Sequence, residues 1–64
     1  MPETLISYRQ IAGGGFLLEF SAITRLHGGD FVLHWLLTAT IPQEQFQQFF
    51  NEFDGHEGYI VEPF

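Results

Sequence analysis

The chain has 64 residues, 45% apolar and 17% aromatic, with eight Phe, no Cys, two basic and eight acidic residues, and a formal net charge of −6. That length allows one domain, residues 1–64, and the absence of Cys excludes a disulfide staple or a thiolate metal site. Arg9 and Arg25 cannot neutralise the several phosphates on which nucleic-acid binding depends, nor make a polybasic face for an anionic membrane.

Glycines at Gly13-Gly14-Gly15, Gly28-Gly29, Gly55 and Gly58 punctuate the chain, because glycine reaches positive φ without steric cost. Thr4 to Ile11 is short, rich in β-branched and aromatic residues, and ends at the glycine triplet; it reads as a strand. Phe16 to Leu26 alternates, with Phe16, Leu18, Phe20, Ala22 and Leu26 on one face and Leu17, Glu19, Ser21, Ile23 and Arg25 on the other. Asp30 to Ile41 repeats the pattern: Phe31, Leu33, Trp35, Leu37, Ala39 and Ile41 share one face, and Val32, His34, Leu36, Thr38 and Thr40 the other. The connections around Ala12–Gly14 and His27–Gly29 are short enough for hairpins. Three antiparallel strands in a meander are therefore expected.

The period then changes. Phe46, Phe49, Phe50 and Phe53 follow the i, i+3, i+4, i+7 spacing of one helical face. Thr40 and Gln43 suit a capping box, Pro42 suits the first turn, Glu44 lies near the positive end of the helix dipole, and Asp54-Gly55 supplies the stop. Tyr59, Ile60 and Val61, ahead of Pro63, read as a short fourth strand or an extended edge segment, where the terminal proline limits pairing. The expected fold is α+β: an antiparallel three- to four-stranded β-meander with one amphipathic helix packed on one face, in the order β-β-β-α-β. The helix phenylalanines are expected to meet the face that carries Phe20, Leu33 and Trp35.

One helix covers one face. The other carries Leu17, Ile23, Val32 and Leu36 beside His34, an apolar patch of the kind that marks interfaces. For a chain this small, hydrophobic gain and the cost of ordering nearly cancel. A homodimer burying these five residues sheet on sheet is therefore expected, with Glu19 and Arg25 pairing across the two-fold axis.

Charge is uneven. Residues 1–43 hold Glu3, Glu19 and Asp30 against two Arg, a net of −1, whereas residues 44–64 hold Glu44, Glu52, Asp54, Glu57 and Glu62 and no base, a net of −5. Those five acids form a candidate docking surface for a basic protein.

Candidate chemistry is thin. His27 and Asp30 flank one glycine turn, and Asp54, His56 and Glu57 flank another; only if the two loops met would they offer a metal-ligand set. Neither has a recognised ligand spacing, and turns favour Asp and Gly for backbone reasons. The glycine triplet leads into a strand rather than a helix, so it is no phosphate loop. There is no Cys or Lys, and Ser7 and Ser21 lack any motif around them, so no catalytic residue, cofactor or metal is expected. No apolar run approaches a membrane span, and the N-terminal segment lacks the basic and apolar regions of a signal peptide; a cytoplasmic location is expected. The leading expectation is a small acidic, non-catalytic protein-interaction module: an adaptor, inhibitor or accessory subunit. The alternatives are an acidic antagonist of a nucleic-acid-binding protein and a small metal-binding domain or enzyme built on the His27 and His56 loops.

Overall fold

The computed structural model describes residues 3–64. Its elements run β1 (Glu3–Gln10), β2 (Phe16–Arg25), a 3-10 turn (His27–Gly29), β3 (Phe31–Ile41), α1 (Gln43–Phe53) and β4 (Tyr59–Pro63). The fold is α+β with the expected β-β-β-α-β order. The four strands form one sheet in the order β3-β2-β1-β4.

β1–β2 and β2–β3 are antiparallel hairpins, as the alternation predicts, but β4 pairs parallel with β1, Leu5 opposite Ile60. The sheet is therefore mixed rather than a full meander. The cause is α1: the chain leaves β3 at one sheet edge, the helix makes the return pass, and the chain re-enters at the opposite edge running in the direction of β1.

Both hairpin turns depend on glycine. Gly13 and Gly14 adopt φ of 92° and 95°, and Ile11 N–H donates to the Gly15 carbonyl at 2.9 Å. Gly28 and Gly29 adopt 85° and 88°, and Leu26 N–H donates to the Asp30 carbonyl at 2.9 Å. Side chains with a Cβ rarely hold such angles.

The α1 N-cap differs from the capping box expected of Thr40 and Gln43. Thr40 remains in β3 opposite Leu17, and Pro42 is the cap residue with no side-chain hydrogen bond. A single residue separates strand from helix, so Thr40 is committed to the sheet. The far end matches expectation: Asp54 N–H donates to the Phe50 carbonyl at 2.8 Å, and Gly55 turns the chain at φ 79°.

The helix lies on the sheet face that carries Ile6, Tyr8, Phe16 and Leu18. Phe46 stacks on Phe16 with ring centroids 3.9 Å apart and stands 5.0 Å from Tyr8. Phe50 meets Tyr8 edge-on at 6.1 Å, and Phe53 meets Tyr59 at 5.0 Å. This aromatic seam runs over β1, the start of β2 and β4. Only Ile6, Leu18 and Ile23 are buried among the described residues, and every helix phenylalanine is half-buried. The molecule is drawn out, with extents of 42 × 21 × 15 Å.

One expectation about the sheet is overturned. Leu33 and Trp35 do not face the helix. Phe20 lies opposite Leu37, but Ser21 lies opposite Trp35, so Leu36 is an extra residue in β3, a β-bulge. From Leu37 to Ile41 the odd-numbered residues share the helix face with Phe16, Leu18 and Phe20. From Phe31 to Trp35 the odd-numbered residues instead share the opposite face with Ser21, Ile23 and Arg25. The bulge reconciles two registers, one set by the glycine turn and one by the strand-to-helix junction, that differ by one residue.

Candidate interaction surface

β3 is the exposed part of the molecule. Phe31, Val32, Leu33, Trp35, Leu36 and Leu37 are 40–64% exposed, Trp35 the most. The register divides them between faces. Phe31, Leu33 and Trp35 lie away from the helix; Val32 and Leu37 lie on the helix side, beyond the reach of the helix seam. Leu36 sits at the bulge. Trp35 is held along the strand by its Nε1–H, which donates to Thr38 Oγ1 at 3.1 Å across the bulge.

The face away from the helix carries a shallow groove of about 190 Å³, lined by Leu5, Ile23, Phe31, Leu33 and Ile60 with the charged Arg25 and Glu62. Arg25 is already engaged inside the chain. Its Nε donates to Glu3 Oε1 at 3.0 Å and its Nη2 to Glu3 Oε2 at 3.3 Å, while its guanidinium stands 5.7 Å from the centre of the Phe31 ring. The hydrogen bond from Arg25 holds the Glu3 carboxyl below its ordinary value of 4.5, and Glu3 in turn raises Arg25. Glu19, on the same face as Arg25, lies opposite Ser7 and Thr38 within the sheet.

The predicted interface set does not form one patch. Leu17 and Ile23 are on the face away from the helix; Val32 and His34, opposite Thr24 and Ala22, are on the helix side; and Leu36 is the bulged residue. Ile23 is 8% exposed and Leu17 half-buried, whereas Val32, His34 and Leu36 are exposed. The bulge is again the reason, because it exchanges the faces of every β3 residue before Leu36. Phe31, Leu33 and Trp35, expected in the core, are the side chains that join the open surface. The signal that marks them is the three-residue turn with two consecutive glycines, which fixes the β2–β3 register independently of the alternation.

The acidic set is also divided. Glu44, Glu52, Asp54, Glu57 and Glu62 are all exposed. Glu44 is in the first turn of α1, while Glu52, Asp54 and Glu57 cluster at and beyond its C-terminal end. Glu62 shares the far face with the groove, so it does not extend the helix-side surface. Among the described residues, no group of three or more His, Asp or Glu is placed to hold a metal ion. No helix among them is long and apolar enough to cross a membrane. No family model, no curated protein and no solved structure matches this chain.

Proposed function

We propose that the chain is a small acidic, non-catalytic protein-interaction module, an adaptor, inhibitor or accessory subunit that works as a homodimer. The observation that carries this reading is the open apolar band of β3, Phe31 to Leu37, exposed on both faces of a sheet edge. Monomeric domains seldom leave such a band in water, because each large side chain left exposed forgoes about 1.5–3 kcal/mol of burial. The exposed Glu52, Asp54 and Glu57 supply a second, charged feature that suits a basic partner protein. Imitation of a nucleic-acid backbone is a weaker reading, because the five acids are split between the helix ends and the far face.

The test is affinity capture from an extract of the native host, comparing the wild type with a Phe31→Ser/Leu33→Lys/Trp35→Ser variant. Proteins retained by the wild type and lost by the variant support the reading. Identical retention by the two forms rejects it.

A further inference from the structure

Two edges bound the sheet, β3 and β4, and they differ in kind. β4 has five residues and carries Glu62 and Pro63, devices that discourage a further strand. β3 has eleven residues with no charge and no proline, and its sequence is FVLHWLLTATI. Apart from the bulge, it has none of the features that keep an edge from pairing. We infer that β3 pairs antiparallel, edge to edge, with β3 of a second copy, joining the two sheets into one of eight strands. This deepens the interaction reading above and rests on it: it names the first occupant of the β3 band as the chain itself.

Three observations favour a second copy. The first is where the exposure lies. Phe31, Leu33 and Trp35 project from one face of β3, and Val32 and Leu37 from the other. A partner laid on one face leaves the other set in water, whereas a strand added at the edge gives both sets cross-strand neighbours. The second is area. The molecule exposes 4603 Å², against about 4,200 Å² for a compact monomer of its mass. The exposed side chains of β3 present roughly 500–600 Å² of apolar surface, taking about 150–250 Å² for an open aromatic ring and somewhat less for an aliphatic chain. Pairing over Phe31–Trp35 covers part of this surface together with the bare strand edge, a contact at the small end of the specific-interface range, about 600 Å² per partner or less.

The third is self-complementarity. A two-fold axis brings a strand against itself, so any charge on β3 meets a like charge nearby; β3 carries no acidic residue, lysine or arginine. The bulge at Leu36 confines regular pairing to Phe31–Trp35. Antiparallel pairing of that segment centres on Leu33, with Leu33 opposite the partner's Leu33, Phe31 opposite the partner's Trp35, and Val32 opposite the partner's His34. Phe31 and Leu33 also line the groove on the far face, and Trp35 is the most exposed of the large apolar residues in β3. A knob and a recess on one surface are what a closed two-fold interface requires.

Sedimentation equilibrium of the purified chain at micromolar to tens of micromolar concentration is the first test. The expected mass is twice the 7.4 kDa of one chain, and Leu33→Lys, which sets two ammonium groups face to face, is expected to sediment as one chain. Because the sequence has no Cys, Leu33→Cys gives a second readout if the lysine variant fails to fold. The two thiols lie within disulfide range in this register, so mild oxidation is expected to give a covalent dimer with unchanged circular dichroism. Ser7→Cys, in β1 in the interior of the sheet, is expected to dimerise as the wild type does but to form no covalent cross-link under the same conditions. A wild type that sediments as one chain overturns the self-pairing and the homodimer with it, and leaves only binding to a foreign protein, which the capture test decides. A dimer in which Ser7→Cys cross-links as readily as Leu33→Cys overturns it in favour of sheet-on-sheet packing.

Discussion

Phe46 seats the helix. Its ring stacks on Phe16 at 3.9 Å and 15°, and lies within 5.0 Å of Tyr8 and 5.9 Å of Phe50. Phe53, one face-repeat further along, meets Phe49 at 5.1 Å and Tyr59 at 5.0 Å. Because the helix phenylalanines are half-buried, truncation should cost less than the ~3–5 kcal/mol of a fully buried ring. Phe46→Ala is expected to lose about 2–3 kcal/mol and Phe53→Ala roughly half of that; urea denaturation measures both, and equal losses would refute the ranking. Glu3 offers a pH test. Its folded pKa is depressed, chiefly by the hydrogen bond from Arg25. The pair therefore contributes fully above 4.5, and the contribution fades as pH falls through the lower folded value. The pair is exposed, so the effect is small. The melting-temperature gap between wild type and Glu3→Gln should hold near neutral pH and close in acid, whereas a gap that widens in acid would reverse the assignment.

At the scale of elements, the sequence carries the kinds of structure well and their relations less well. The four strands, the helix and its Asp54-Gly55 stop are legible because each depends on local pattern: alternation, a 3.6-residue period, glycine at positive φ. The parallel pairing of β4 is not local; it follows from the pass that α1 makes across the sheet. Which β3 side chains face the helix is not local either. The unbroken alternation from Phe31 to Ile41 suggests one face, but the turn at His27–Gly29 puts Arg25 opposite Phe31, while the far end puts Phe16 opposite Ile41. These registers differ by one, and Leu36 absorbs the difference. The interface set that included Leu17, Ile23, Val32, His34 and Leu36 was divided for this reason alone. If Leu36 serves only to take up the slip, its deletion leaves Phe20 opposite Leu37 and Ser21 opposite Trp35 with regular pairing between them. The deletion variant is expected to melt cooperatively within a few degrees of wild type and, compared at a concentration where both are single chains, to keep the Trp35 fluorescence of an exposed indole. A strong blue shift would mean that Trp35 had moved to the helix face and that the turn does not govern the register.

For the whole molecule, the relevant quantity is how little of it is buried. Ile6, Leu18 and Ile23 are the buried apolar residues among those described, and the half of the β2–β3 hairpin nearest its turn lies beyond the helix seam. A chain of this size has a narrow margin between hydrophobic gain and conformational cost. Association at β3 adds its burial to folding, so stability and assembly are linked. For a dimer that unfolds to two chains, a tenfold rise in concentration favours the folded form by about 1.4 kcal/mol. For two chains of this length that corresponds to roughly 5 °C in melting temperature. Calorimetric melts over a hundredfold range of wild-type concentration are therefore expected to climb by about 10 °C. Leu33→Lys, having lost the edge contact, is expected to melt lower and at a temperature independent of concentration; the single chain still folds, because position 33 is exposed there and a charge at it is not buried. A wild type whose melting point ignores concentration would show that the narrow margin is met within one chain, and that the exposed band on β3 contributes nothing to holding this fold together.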